Sequence, residues 1–249
     1  MELTVVGCAG SFPRADSAAS CYLVEAEGFR LVIDLGNGAL GALQRYAELD
    51  EIGAVCLSHL HGDHCVDLGA YAVARQYGPG GPLAPLPVYG PPGAAEQLGP
   101  VFGSVAEELA ERFTFMDLDA GRREIGPFSV TTARMNHPVQ TFGFRVEYGG
   151  WVFAYSADTG ESEELVGLAE AADLLLCEAS FIDGPGNPVG VHLTGRQAGE
   201  HAAKAGVGEL VLTHLVAWHD PEALLSEAAA VYGGPVSLAR PGRKFGPVR

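Results

Sequence analysis

The run Leu57–His64, Leu-Ser-His-Leu-His-Gly-Asp-His, constrains this chain more than any other stretch. It places three imidazoles and one carboxylate, those of His59, His61, Asp63 and His64, within six positions. A regular helix or strand cannot aim four such groups at one point over so short a length, whereas a tight loop after a strand can. Ala54-Val55-Cys56-Leu57 reads as that strand, and Gly62 as the residue that permits the turn. Neutral imidazole nitrogen and carboxylate oxygen are the donors that zinc and its first-row neighbours take. A polar loop that is merely histidine-rich is the bland alternative. Three of the chain's eight histidines fall in this one run, which argues against it.

A metal site needs more than one loop, so other strands have to end beside this one. Residues 2–8, 21–25 and 29–34 read as strands, the last two as a hairpin through Gly28, and residues 39–49 as a helix. After the histidine run come a helix over 66–77, a Pro/Gly-rich passage over 78–93 around the short strand Pro87-Val88-Tyr89, and a helical region over 94–111. Strands follow at 113–118, 128–133, 142–147 and 151–156. From there the pattern alternates: helix 162–171, strand 174–177, helix 194–205, strand 210–213, helix 221–231 and strand 235–239. Strand-rich stretches mixed with helices in both halves imply an α/β fold of two packed sheets with helices outside them. No linker or low-complexity segment divides residues 1–249, so a single domain is expected.

Composition narrows the partners. The formal net charge is −16, from 15 basic and 31 acidic residues. Binding a long nucleic acid needs many phosphate-neutralising Lys and Arg, so this balance argues against one. A small anion held by metals escapes that argument, because the metals bring positive charge of their own. Five cysteines (Cys8, Cys21, Cys56, Cys65, Cys177) form an odd set without CxxC pairing and read as reduced, buried thiols. Cys65 directly follows the histidine run; it is expected in the core of the next helix rather than on a metal. The chain enters a strand at once, without a basic or apolar leader, and no apolar run reaches membrane-spanning length. A cytoplasmic protein without a membrane partner is the expectation.

Three further polar residues end apolar strands: His137 after Thr131-Thr132-Ala133-Arg134, Asp158 after Trp151–Ala157, and His214 after Leu210-Val211-Leu212-Thr213. Strand ends are where sheet folds place active-site groups. Taken in order, His59-x-His61-x-Asp63-His64, His137, Asp158 and His214 resemble the metallo-β-lactamase superfamily over nearly the whole chain. The resemblance implies a four-layer αβ/βα sandwich, two mixed sheets flanked by helices, with a dinuclear metal site at one edge. It also implies the division of ligands. His59, His61 and His137 would take one divalent ion, Asp63, His64 and His214 the other, and Asp158 would bridge them. Zinc is the expected metal, with manganese or iron as alternatives. Asp34, ending the third strand, matches the family's acidic residue that orients a ligand; a plain turn aspartate before Gly36 is the other reading.

His192-Leu193-Thr194-Gly195, with Ala198, Ala202, Ala203 and Lys204, and then Leu212-Thr213-His214 look like the tRNA 3′-processing, RNase Z-like branch. The resemblance implies that His192 contacts the scissile phosphate and helps the leaving group depart. Glu178 would be its acidic partner, and Asp63 would orient the attacking hydroxide. Two departures stand out. About twenty residues separate His137 from Asp158, too few for the tRNA-gripping arm, and Leu215–His219 replaces the branch's Ser-Pro-Arg-Tyr-like segment. What remains is similar to short, arm-less actinobacterial cyclic-nucleotide phosphodiesterases, through Gly7–Ser11, Asp16–Ser20 and the stretch from Val32 to Arg45.

The expected activity is hydrolysis of a small nucleotide-like phosphodiester, 3′,5′-cyclic AMP to 5′-AMP. The alternatives are an RNA 3′-processing endonuclease, a lactone or thioester hydrolase, and a non-enzymatic nucleotide-sensing scaffold. A homodimer is suggested by the resemblance alone. Trp218 is either a packing residue or a face for a purine. His201 and His219 read as surface or helix-face residues.

Overall fold

Most strands of this chain are apolar on both faces, which suits a strand lying between a second sheet and a layer of helices. The computed structural model describes residues 1–103 and 106–247. Its first sheet contains β1 (Glu2–Ala9), β2 (Ala18–Ala19), β3 (Cys21–Ala26), β4 (Phe29–Ile33), β5 (Ala54–Cys56), β6 (Leu86–Gly90) and β7 (Phe113–Asp117). The second contains β8 (Gly121–Ile125), β9 (Phe128–Arg134), β10 (Phe142–Tyr148), β11 (Trp151–Tyr155), β12 (Leu174–Glu178), β13 (Glu209–Thr213) and β14 (Val236–Leu238). The chain then returns to the first sheet with β15 (Lys244–Phe245). Spatial order is β15-β1-β3-β4-β5-β6-β7, with β2 beside β1, and β14-β13-β12-β11-β10-β9-β8. Both sheets are mixed. Pairing from β1 to β4 and from β8 to β11 is antiparallel, and from β4 to β7 and from β11 to β14 it is parallel.

Side-chain alternation builds the layers. Leu31 and Ile33 of β4 meet Phe144, Phe153 and Leu176 of the opposite sheet in the central core. Between them, Val32 turns outward to the helices α1 (Ala39–Leu43), α3 (Asp67–Tyr77), α4 (Ala94–Val101) and α5 (Ala106–Ala110), with the single turn α2 (Gly62–Cys65) at the sheet's end. In the second sheet Leu175 and Cys177 turn outward to α6 (Glu163–Leu168), α7 (Gly195–Ala205) and α8 (Pro221–Ala229). The result is the expected αβ/βα sandwich. All five cysteines are free and buried.

The pairing also fixes where strands end. β1, β4 and β5 run the same way in one sheet, as do β9, β11, β12 and β13 in the other. Their C-terminal ends meet at one edge, where Leu215 N donates to Cys8 O at 3.0 Å and Phe142 N to Ser58 O at 3.0 Å.

Several elements depart from the expectation. The helix at 39–49 stops at Leu43; Arg45 and Tyr46 continue it only as turns, and Leu49–Glu51 forms a 3-10 turn. The region 94–111 divides into α4 and α5, with Gly103 at φ 69° closing off the first and residues 104 and 105 outside the described residues. β8 went unread because Arg122, Arg123 and Glu124 give it the charged character of an edge strand, not an apolar alternation. His201 is no surface residue. It is buried in α7, where Nε2 accepts from Ser162 N at 3.1 Å and Nδ1 lies 2.7 Å from Gln197 O, tying α7 to the start of α6.

Candidate metal centre

His59 and His61 stand on the loop after β5, but Asp63 and His64 belong to the single helical turn α2. The cluster is therefore half loop and half helix, not a loop throughout. Gly62 opens that turn without relieving any clash, since a Cβ there would meet only Val66 Cβ at 4.0 Å. The glycines that matter sit elsewhere. A Cβ on Gly36 would run into the Asp63 carbonyl, and one on Gly10 would lie 2.6 Å from His214 O. The backbones after β4 and β1 thus press directly against backbone that carries candidate ligands. Ser11 (φ 63°), Asp34 (φ 58°), Ala157 (φ 51°) and His214 (φ 54°) all adopt left-handed backbone at these strand ends. Such conformations cost about 1–3 kcal/mol each in non-glycine residues and cluster at functional sites.

Seven side chains converge. His59, His61, His137 and Asp158 form one group and Asp63, His64 and His214 a second, the ligand atoms within each lying within 4.8 Å of one another. In the first, His61 Nδ1 lies 3.0 Å from His59 Nε2 and 3.4 Å from His137 Nε2. Asp63 Oδ2 lies 3.1 Å from His214 Nε2 and 3.5 Å from His64 Nε2. Asp158 stands between the groups, with Oδ2 3.6 Å from His59 Nε2 and Oδ1 3.2 Å from His64 Nε2.

The far ring nitrogens are engaged elsewhere: His137 Nδ1 with Val191 O at 2.8 Å, His64 Nδ1 with Asp34 Oδ2 at 2.7 Å, and His214 Nδ1 with Ser180 Oγ at 2.7 Å. With Nδ1 so engaged, His137 and His214 can present a lone pair on Nε2 to the cluster, and His64 can do so once its Nε2 proton is displaced. His64 Nε2 and Asp158 Oδ1 are buried 3.2 Å apart as an ion pair without hydrogen-bond geometry, and neither finds a hydrogen-bond partner elsewhere. Converging imidazoles and carboxylates whose buried polar atoms lack hydrogen-bond geometry are costly unless a cation lies among them. The donor set and its orphans fit divalent metal ions at both groups.

Electrostatics agree. Burial drives the pKa of His59 well below the usual imidazole value and lowers those of His61 and His137, keeping these rings neutral. Burial opposes ionisation of Asp158, yet neighbouring His214 and His64 hold its carboxyl well below the usual range. His64 is also opposed by burial, but Asp158 and Asp34 push it well above its ordinary value.

Outside the clusters, Asp34 is fully buried and is no simple turn residue. Its carboxylate accepts from Ser58 N at 2.7 Å, Ser58 Oγ at 2.8 Å and Tyr155 OH at 2.9 Å as well as from His64. Cys65 stays off the clusters: its Sγ donates to His61 O at 3.2 Å.

Beside the clusters stands a further imidazole. The His192 ring lies 5.3 Å from that of His214 and 5.5 Å from that of His137, centroid to centroid. Its Nδ1 meets Oε1 of the fully buried Glu178 at 2.9 Å, and Thr159 N donates to the same oxygen at 2.7 Å. Burial works against charge on His192, but the Glu178 carboxylate outweighs it and raises the pKa to about 9. The other Glu178 oxygen accepts from Ser180 Oγ at 2.9 Å, the same hydroxyl that holds His214. Tyr155, Thr159 and Ser180 carry no motif spacing and Ser58 sits unnoticed inside the histidine run, so sequence reasoning missed the part all four play.

Residues 30–215 match the family model for the beta-lactamase superfamily domain. The chain belongs to the beta-lactamase superfamily. It is similar to uncharacterized protein Rv1339 of Mycobacterium tuberculosis, 41% identical over 242 residues that span 95% of this chain and 88% of that one. Probable metallo-hydrolase YhfI of Bacillus subtilis is 34% identical over 245 residues, 97% of this chain and 98% of that protein. The YhfI crystal structure superposes with a TM-score of 0.88, covering 98% of both chains at 32% identity. Ribonuclease Z of Mycolicibacterium gilvum is 32% identical over 247 residues, 87% of this chain and 84% of that one. The chain is a metal-dependent hydrolase of this superfamily, RNase Z-like in its relatives. Among the described residues, no helix is long and apolar enough to cross a membrane.

Proposed function

We propose that this metallo-hydrolase is a phosphodiesterase that cleaves a small phosphodiester, 3′,5′-cyclic AMP, to 5′-AMP. The observation that carries the reading is His192, a ring with a raised pKa held by buried Glu178 beside both ligand groups. An imidazolium there gives an anionic phosphoryl group a counter-charge and gives a departing alkoxide its proton. A neutral lactone or thioester, unlike a phosphodiester, carries no ground-state charge for that cation to hold.

His59, His61 and His137 would hold one divalent ion and Asp63, His64 and His214 the other, with Asp158 shared. Zinc is the expected ion; manganese and iron also suit imidazole and carboxylate donors. When bound, the ions supply Lewis acidity toward a phosphoryl oxygen and lower the pKa of water toward neutrality. The chain's own groups do the rest. Asp63, steadied by the Ser11 N–H at 2.8 Å, orients the attacking water. The water oxygen adds to phosphorus and gives up one proton to solvent, the P–O3′ bond breaks, and His192 Nε2–H passes its proton to the departing ribose oxygen, the ring then regaining one from solvent. Glu178 keeps the opposite edge of the ring fixed through Nδ1.

The small substrate is favoured over RNA by two features. The chain between His137 and Asp158 is taken up by the β10–β11 hairpin, and the net charge is −16. His192→Ala is expected to lower kcat by about 10²–10⁴-fold while metal content, read by elemental analysis, stays at the wild-type level. A variant that retains wild-type kcat would remove His192 from the reaction.

A further inference from the structure

We infer that Phe12 and Trp218 form the platform on which the substrate's nucleobase stacks, an inference that rests on the phosphodiesterase reading. The loops after β1 and β13 are zipped together at the edge of the site. Ala9 and Leu215 form a parallel bridge, Leu215 N donates to Cys8 O at 3.0 Å, and Gly10 N donates to Leu215 O at 3.1 Å. The zipper puts Ser11 N on Asp63 Oδ2 at 2.8 Å, so the first loop touches the second ligand group. The next residue, Phe12, then meets Trp218, four positions beyond His214, with ring centroids 5.7 Å apart and planes inclined at 40°. His219 stands on Trp218 edge to face at 6.3 Å.

Neither ring serves the core. Trp218 is 61% exposed and Phe12 43%, whereas Trp151 is 9% exposed and packed between the sheets. Two aromatic rings steadied by each other, anchored to the ligand-bearing loops and left in water, offer a preformed stacking surface. A nucleobase is the occupant that fits. Its neutral π-face needs no cation, and the cation on this loop, Arg14, is already engaged by Asp16 at 2.9 and 3.0 Å. Stacking depends on ring area more than on hydrogen-bonding pattern. The platform therefore favours purine over pyrimidine cyclic nucleotides and discriminates little between adenine and guanine.

The test uses zinc-loaded full-length protein as wild type, W218A, W218F and F12A. Substrates are 3′,5′-cyclic AMP and the base-free cyclic ribose 3′,5′-phosphate, and AMP is titrated against tryptophan emission. W218A is expected to raise KM for cyclic AMP about tenfold, with an effect on the base-free ester several times smaller. F12A should act in the same direction and W218F should retain most of the affinity. AMP should quench emission in wild type and not in W218F. Equal effects on both substrates, or a W218A that changes only the oligomeric state, would overturn the platform. Quenching that is lost in W218F, in a protein that hydrolyses no cyclic nucleotide, would keep the platform and sink the reaction. Neither quenching nor hydrolysis would overturn both.

Discussion

Ser180 is a single hydroxyl, yet it joins the two halves of the site. It accepts from His214 Nδ1 and donates to Glu178 Oε2, so a candidate ligand ring and the partner of His192 share one hydrogen-bonded chain. Ser180→Ala leaves both groups short of a buried partner. Losses of this kind cost about 10–100-fold in metal affinity or activity. A chelator competition should show weaker retention of one of two ions, with kcat falling alongside; unchanged retention and kcat would reduce Ser180 to packing.

His64 yields a second expectation. Asp158 and Asp34 raise its pKa well above the usual value against the pull of burial, so an ion has to displace a proton from Nε2. Metal uptake at pH 7 should release about one proton from this ring and tighten as pH rises. Calorimetry in buffers of different ionisation enthalpy reads that release; an uptake heat independent of buffer would contradict it. That the candidate ligands would converge was legible in the sequence because imidazoles and carboxylates at strand ends have few structural uses. Ser58, Tyr155 and Ser180 were not, because a hydroxyl in or just past an apolar strand looks the same whether or not it holds a ring.

At the scale of elements, the site depends on strand ends being pressed together by glycines. Gly36→Ala would push β4's exit loop off the Asp63 carbonyl. It is expected to lower the Tm and to weaken the Asp63–His64–His214 group first, as read by metal stoichiometry. Gly167→Ala is the control. A Cβ there meets nothing within 4 Å, and alanine favours helix α6 by roughly 0.5–1 kcal/mol. Equal Tm losses in the two variants would refute the close-approach argument. Strands such as β4 and β12 were readable because burial on both faces demands continuous apolar runs. β8 was hidden because an edge strand is charged, and α1 was overread because its apolar residues run on into turns. Gly62 drew attention by its place in the motif, while Gly10 and Gly36 matter through contacts that sequence does not record.

For the whole molecule, two mixed sheets of eight and seven strands bring one set of strand ends to one edge. The chain spends no residues on an arm between β9 and β11 beyond the β10 hairpin. With a net charge of −16, that shape suits a small anion neutralised at a metal centre and repels a long one. The most direct test incubates metal-loaded protein with 3′,5′-cyclic AMP and, separately, with a tRNA precursor, measuring both products beside an Asp158→Ala control. 5′-AMP should form with the wild-type protein and not with the control, and the tRNA precursor should stay intact. No hydrolysis of cyclic AMP with both ions bound, or cleavage of the tRNA precursor instead, would contradict the cyclic-nucleotide reading.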